Sequence, residues 1–234
     1  MLKKILKFAV GLALIPLCIA ATETAVHLLM VVRPDSATAL SAPVWGFLLG
    51  FGLWMLLFFL LPHPVKTYIF AHEMTHLVWG FLMGARVSKL RVADDGGSVT
   101  INKSNFLIVL APYFFPFYSI ATLLVYAILS AFTDLNTYKP FWMGLLGLTW
   151  AFHLSFTARM LQEHQSDVSS QGRLFSYSLI YLLNLVEVCI LIVAMGTPSL
   201  KMFLSRLTNE TIDAYGFCQA VLVKAVAFLT ETLQ

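Results

Sequence analysis

The run Thr67-Tyr68-Ile69-Phe70-Ala71-His72-Glu73-Met74-Thr75-His76-Leu77-Val78-Trp79-Gly80-Phe81-Leu82-Met83 sets an HExxH motif inside an apolar segment of helix length. The i, i+4 spacing stacks His72 and His76 on one helix face, where two imidazoles can grip one metal ion. Glu73 stands one residue along, beside such an ion rather than on it, so it can take a proton from a water that the metal activates. Zinc, one per chain, is the expected metal, because it favours nitrogen ligands and accepts tetrahedral geometry. With six His and six Glu among 234 residues, a chance HExxH has a probability of roughly 0.4%. Ionisable groups are costly inside an apolar helix, and three within five residues point to function rather than packing.

The composition surrounding this run excludes a water-soluble domain. Hydrophobic residues make up 59% of the chain and charged residues 12%, with a mean hydropathy of +0.82. A soluble domain carries about 25% charged residues, which this chain lacks. The lipid bilayer is therefore its expected surroundings. The net charge of +3 is scattered, without the basic stripe that nucleic acid requires, so no nucleic-acid partner is expected. Cys18, Cys189 and Cys218 lie in apolar runs without CxxC spacing and read as buried structural thiols.

A bilayer crossing takes about 20 apolar residues. Besides 67–83, runs of that kind occupy about 8–32, 42–62, 106–132, 141–161, 174–195 and, more weakly, 214–229. The expected fold is an all-α integral membrane protein of six or seven transmembrane helices, forming a single polytopic domain over residues 1–234. Pro112 and Pro116 interrupt the aromatic stretch Tyr113–Tyr118 and read as a bend of the kind that membrane helices tolerate.

One segment breaks the helical pattern. Arg86-Val87-Ser88-Lys89-Leu90-Arg91-Val92 and Ser98-Val99-Thr100-Ile101-Asn102 read as two short strands, with turn chemistry in Ala93-Asp94-Asp95-Gly96-Gly97 between them. A hairpin directly after the HExxH helix offers a strand edge for an extended peptide, which makes Val99, Thr100, Ile101 and Asn102 candidate substrate-binding residues. A catalytic zinc also needs a third protein ligand. Asp167, His164 and Glu163 share one polar junction, Glu163-His164-Gln165-Ser166-Asp167-Val168-Ser169-Ser170-Gln171-Gly172, and His153 lies in the run before it. Spacing alone does not rank these four.

On these residues the chain resembles the site-2 proteases, intramembrane zinc metalloproteases, over about residues 66–196. The resemblance rests on HExxH within a span, a short polar strand-like segment after it, and a late aspartate at a helix start. It implies that His72, His76 and Asp167 bind zinc and that Glu73 is the catalytic base. The implied reaction is hydrolysis of peptide bonds in membrane-embedded or membrane-adjacent substrates, and the implied location a bacterial inner membrane. Two features differ from the family pattern: Asp167 is followed by Val168 rather than glycine, and Asn105-Phe106-Leu107-Ile108-Val109-Leu110-Ala111-Pro112-Tyr113 stands where a Gly-Pro-x-x-Asn segment is usual. The alternatives are a metal-binding membrane transporter, for which paired half-repeats are missing, and a non-catalytic membrane scaffold, which would not require Glu73.

Overall fold

The computed structural model describes residues 2–32, 41–93, 96–196 and 198–232, and 81% of these residues are helical. Each apolar run forms helix: α1 (Leu2–Val31), α2 (Ala42–Leu60), α3 (Val65–Leu82), α4 (Phe106–Leu110), α5 (Phe117–Ser130), α6 (Lys139–Gln162), α7 (Ser166–Gln171), α8 (Arg173–Met195) and α9 (Leu200–Thr232). Strands β1 (Val87–Ala93) and β2 (Gly96–Ile101) pair antiparallel, as expected for the hairpin. Of the expected turn, Asp94 and Asp95 lie outside the described residues.

Among the described residues four helices, α1, α2, α8 and α9, are long and apolar enough to cross a membrane; a fifth crossing arises if α4 and α5 count as one span. This is fewer than the six or seven expected from the runs. The helices α3 and α6 do form, but Lys66, His72, Glu73 and His76 in one and Lys139, His153 and Arg159 in the other dilute their hydropathy below that of a free-standing span. The run 106–132 also changes character. It breaks by 83° between α4 with its following 3-10 turn (Ala111–Tyr113) and α5, because Pro112 and Pro116 each remove a helical N–H donor. The outer faces of α2 and α9 present exposed Leu49, Phe59, Phe217 and Phe228, a surface suited to lipid rather than water.

The chain groups into two compact units, residues 1–33 with 171–234 and residues 34–170. The helix α8, inside the expected core of about 66–196, thus groups with the chain ends. In the first unit α1 meets α8 so closely that a Cβ on Gly11 would stand 2.7 Å from the Phe175 backbone nitrogen. Further along the same two helices, Ala25, Leu28, Cys189 and Ile192 form a core cluster with Phe203 of α9. Tyr215 of α9 donates to the Ala13 carbonyl of α1 at 2.6 Å, and Arg206 and Glu210 pair one turn apart on α9.

The second unit is built on α2 and α6. Without an oil-versus-water drive between helices in lipid, small residues that let backbones touch become the adhesive. Gly46 and Gly50, one turn apart, serve that purpose: a Cβ on Gly50 would stand 1.9 Å from the Gly144 carbonyl oxygen. Below this seam Trp54 packs against Phe152 at 4.9 Å between ring centroids, and its Nε1 donates to Ser155 Oγ at 2.9 Å. Phe156 of α6 stacks on Tyr68 of α3 at 4.9 Å with 8° between the planes. That stack fixes α3 against the α2–α6 pair.

The hairpin folds back along α3 rather than projecting from its end. Its register, Leu90 opposite Val99 and Val92 opposite Gly97, puts these residues with Ile101 on the face toward α3. Ile101 packs beside Gly80 and Gly97 beside Glu73. The other face carries Lys89, Arg91 and Thr100, all exposed.

Overpacking the α2–α6 seam should cost about 1–3 kcal/mol. Gly50→Ala is therefore expected to lower the thermal midpoint in detergent. Gly52→Ala, whose Cβ would meet nothing within 4 Å, should be neutral or slightly stabilising. Equal midpoints for the two variants would refute the close approach.

Candidate metal centre

The helix α3 brings His72 and His76 one turn apart, with ring centroids 4.9 Å from each other. From the start of α7, 91 positions later in the chain, Asp167 reaches both. Its Oδ2 lies 3.4 Å from His72 Nε2 and 3.5 Å from His76 Nε2. The three donor atoms all fall within 4.8 Å of one another, a group that could hold a metal ion. The α6 helix ends at Gln162, Glu163 turns into extended backbone, and the new helix starts at Ser166. This short break is what turns Asp167 back toward α3.

Each imidazole is held from behind. His76 Nδ1 lies 2.8 Å from the Ile108 carbonyl oxygen. A carbonyl only accepts, so Nδ1 carries a proton, and Nε2 is the nitrogen turned toward Asp167 and available to a metal. That carbonyl is set by Asn105, whose side chain caps α4 by accepting from the Ile108 N–H at 2.9 Å. His72 Nδ1 is hydrogen-bonded to Tyr68 Oη at 3.1 Å, and Tyr68 is the ring stacked on Phe156. Such outer partners fix tautomer and ring orientation in metal sites. Tyr113, fully buried, sets its ring edge-on to His72 at 5.4 Å and makes a long contact of 3.4 Å to Asp167 Oδ2. Burial pushes the Asp167 carboxyl up, but the hydrogen bonds and charge of His72 and His76 outweigh it and hold the group below the usual carboxylate range.

Glu73 is buried on α3 against the hairpin tip. A Cβ on Gly97 would stand 2.5 Å from Glu73 Cγ and 2.8 Å from its Oε1. Glycine is thus required at 97 for the strand to lie this close. One cavity of about 620 Å³ takes in His72, Glu73, His76 and Asp167 together with Gly97, Ser98 and Val99 of β2, Arg159 of α6 and Glu163 just after it. This volume is in the range of ligand-binding pockets.

The other sequence candidates separate. Glu163 lines the cavity outside the donor group, His164 is exposed, and His153 lies in a second cavity of about 20 Å³ that touches the far side of His72. Of the hairpin residues, Val99 lines the main cavity, whereas Thr100 faces outward and Ile101 packs on α3. Asn102 closes the hairpin base, its Oδ1 accepting from the Arg86 N–H at 2.7 Å. Sequence reasoning did not single out Tyr68, the Ile108 carbonyl or Arg159. Asn105 carries a signal that sequence alone offers, since an asparagine just ahead of an apolar run is a favoured helix cap.

Asp167→Ala is expected to abolish tight metal binding, and Tyr68→Phe to weaken it by about 10–100-fold while keeping the site. Metal titration of detergent-purified variants reads both. Full affinity in Asp167→Ala would remove that residue from the ligand set.

Comparison with protein-family models, with curated proteins and with solved structures returns no match for this chain.

Proposed function

We propose that this protein is a membrane-embedded zinc metalloprotease that hydrolyses peptide bonds of membrane or membrane-adjacent substrates. The observation that carries the reading is the buried Glu73 beside a His-His-Asp donor group in the wall of one cavity, next to a strand. The resemblance of the motif context to the site-2 proteases points the same way.

The donor set suits zinc in chemistry and in spacing. Two neutral nitrogens and one carboxylate are the ligand types zinc takes in catalytic sites, with a fourth position left open. Ligands about 2.1 Å from a tetrahedral zinc stand about 3.4 Å apart, and the Nε2 to Oδ2 separations are 3.4 and 3.5 Å. When bound, zinc polarises a water and the scissile carbonyl and supplies a nucleophile at neutral pH.

The chain's own groups account for the rest. His72, His76 and Asp167 hold their donor atoms ready because Tyr68, Ile108 and the α6–α7 break leave them no other orientation. Glu73 takes the proton that the attacking water loses as its oxygen bonds to the carbonyl carbon. It then returns that proton to the amine nitrogen as the C–N bond breaks. An extended substrate segment can add to the hairpin edge by main-chain hydrogen bonds, with Val99 beside the reacting bond. The seven residues from Val65 to His72 span about 10 Å of helix axis, so the site lies that far in from the start of α3. The polar wall of Arg159, Glu163, Gln165 and Ser166 gives water a route to it.

Two variants test the reading. Glu73→Gln should keep its zinc and slow cleavage of a membrane substrate by about 10²–10⁴-fold, the usual contribution of a general base; cleavage at the normal rate would sink the mechanism. Gly97→Ala should also keep its zinc. A Glu73 carboxylate displaced by about 1 Å should lower kcat by about 10²-fold, and an unchanged kcat would show that the hairpin tip does not position the base.

A further inference from the structure

Arg159 stands in the last turn of α6 and lines the same cavity as the donor group. Its Nη1 lies 2.9 Å from His63 Nδ1. A guanidinium only donates, so His63 accepts with a neutral ring and supplies no counter-charge. His63 is itself pinned, edge-on to Phe58 at 4.4 Å and to Phe156 at 6.3 Å. Among the described residues Arg159 forms no ion pair; the close His–carboxylate contacts of this unit join His72 and His76 to Asp167. The guanidinium is therefore a partly buried cation in the cavity wall, held by one neutral partner, and its other N–H donors make no protein hydrogen bond among the described residues. Its planar fork matches a carboxylate.

We propose that Arg159 anchors an acidic side chain of the substrate and so determines its class: peptides with Asp or Glu near the cleaved bond. This rests on the protease reading above. His63 follows α2 immediately before α3 begins, and its carbonyl accepts from the Val65 N–H at 2.8 Å. Arg159 accordingly marks the end of the cavity about 10 Å along α3 from His72. At about 3.3 Å per residue of extended chain, the anchored carboxylate falls about three residues from the scissile bond. It lies on the side of that bond that faces the polar start of α3.

The test uses N-acetylated peptide hydroxamates, which chelate the metal without being cleaved, as Asp/Asn pairs at each of the flanking positions. Affinity is measured by calorimetry on zinc-loaded, detergent-purified protein. Wild type should bind the Asp member about tenfold more tightly at one position, about three residues from the hydroxamate. Arg159→Gln should lose that preference while binding the Asn member as wild type does, and Arg159→Lys should keep part of it. Equal affinities for Asp and Asn at every position, or a preference that survives in Arg159→Gln, would overturn the proposal. The wild-type comparison stands even if a variant fails to fold. Zinc is counted in the same samples, so a chain that binds none, the failure of the protease reading, is seen separately from the charge preference.

Discussion

Two imidazoles and a carboxylate must point at one place from within an apolar helix bundle, and the second unit is organised around that demand. Polar groups taken out of water are stable only with partners. His72 has Tyr68, His76 has the Ile108 carbonyl, and Asp167 has both imidazoles. Each partner is in turn anchored by something larger. Tyr68 stacks on Phe156 of α6, and Ile108 sits in a helix capped by Asn105. The glycine seam between α2 and α6 holds the aromatic layer to which Tyr68 belongs.

The same demand explains where the backbone leaves the helical state. In lipid, non-helical backbone is tolerated where it is buried in protein or lines a watery cavity. The hairpin lies along α3 and contributes Gly97, Ser98 and Val99 to the cavity wall. The 83° break after α4 frees the segment that presents the Ile108 carbonyl and Tyr113 to the histidines. The gap between α6 and α7 aims Asp167. Three irregular segments thus converge on one helix face, and the Ile108 carbonyl is open to His76 because Pro112, four positions on, has no N–H to donate to it.

Much of this was legible in the linear chain, for local reasons. The i, i+4 pair is a property of helix geometry alone, so His72 and His76 needed no tertiary knowledge. The hairpin could be read because strand alternation and turn residues are short-range signals. Helix content followed from apolar runs, but the number of crossings did not. Runs such as α3 and α6 gain their helical state from packing around polar residues rather than from hydropathy. Pro112 and Pro116 announced a bend, and only its surroundings made it a sharp break beside the histidines.

The sequence by itself determined that this is a helical protein suited to a bilayer, with two stacked histidines and a neighbouring glutamate on one helix and a hairpin after it. Those are consequences of composition and period, which act between residues a few positions apart. Tertiary structure alone decided that Asp167, among four candidates, meets the histidines, that Gly97 rather than a larger residue lies on Glu73, and that Arg159 shares their cavity. Those placements depend on how α3, α6 and the hairpin close on one another, with His72 and Asp167 95 positions apart, and for such contacts no local pattern exists to be read.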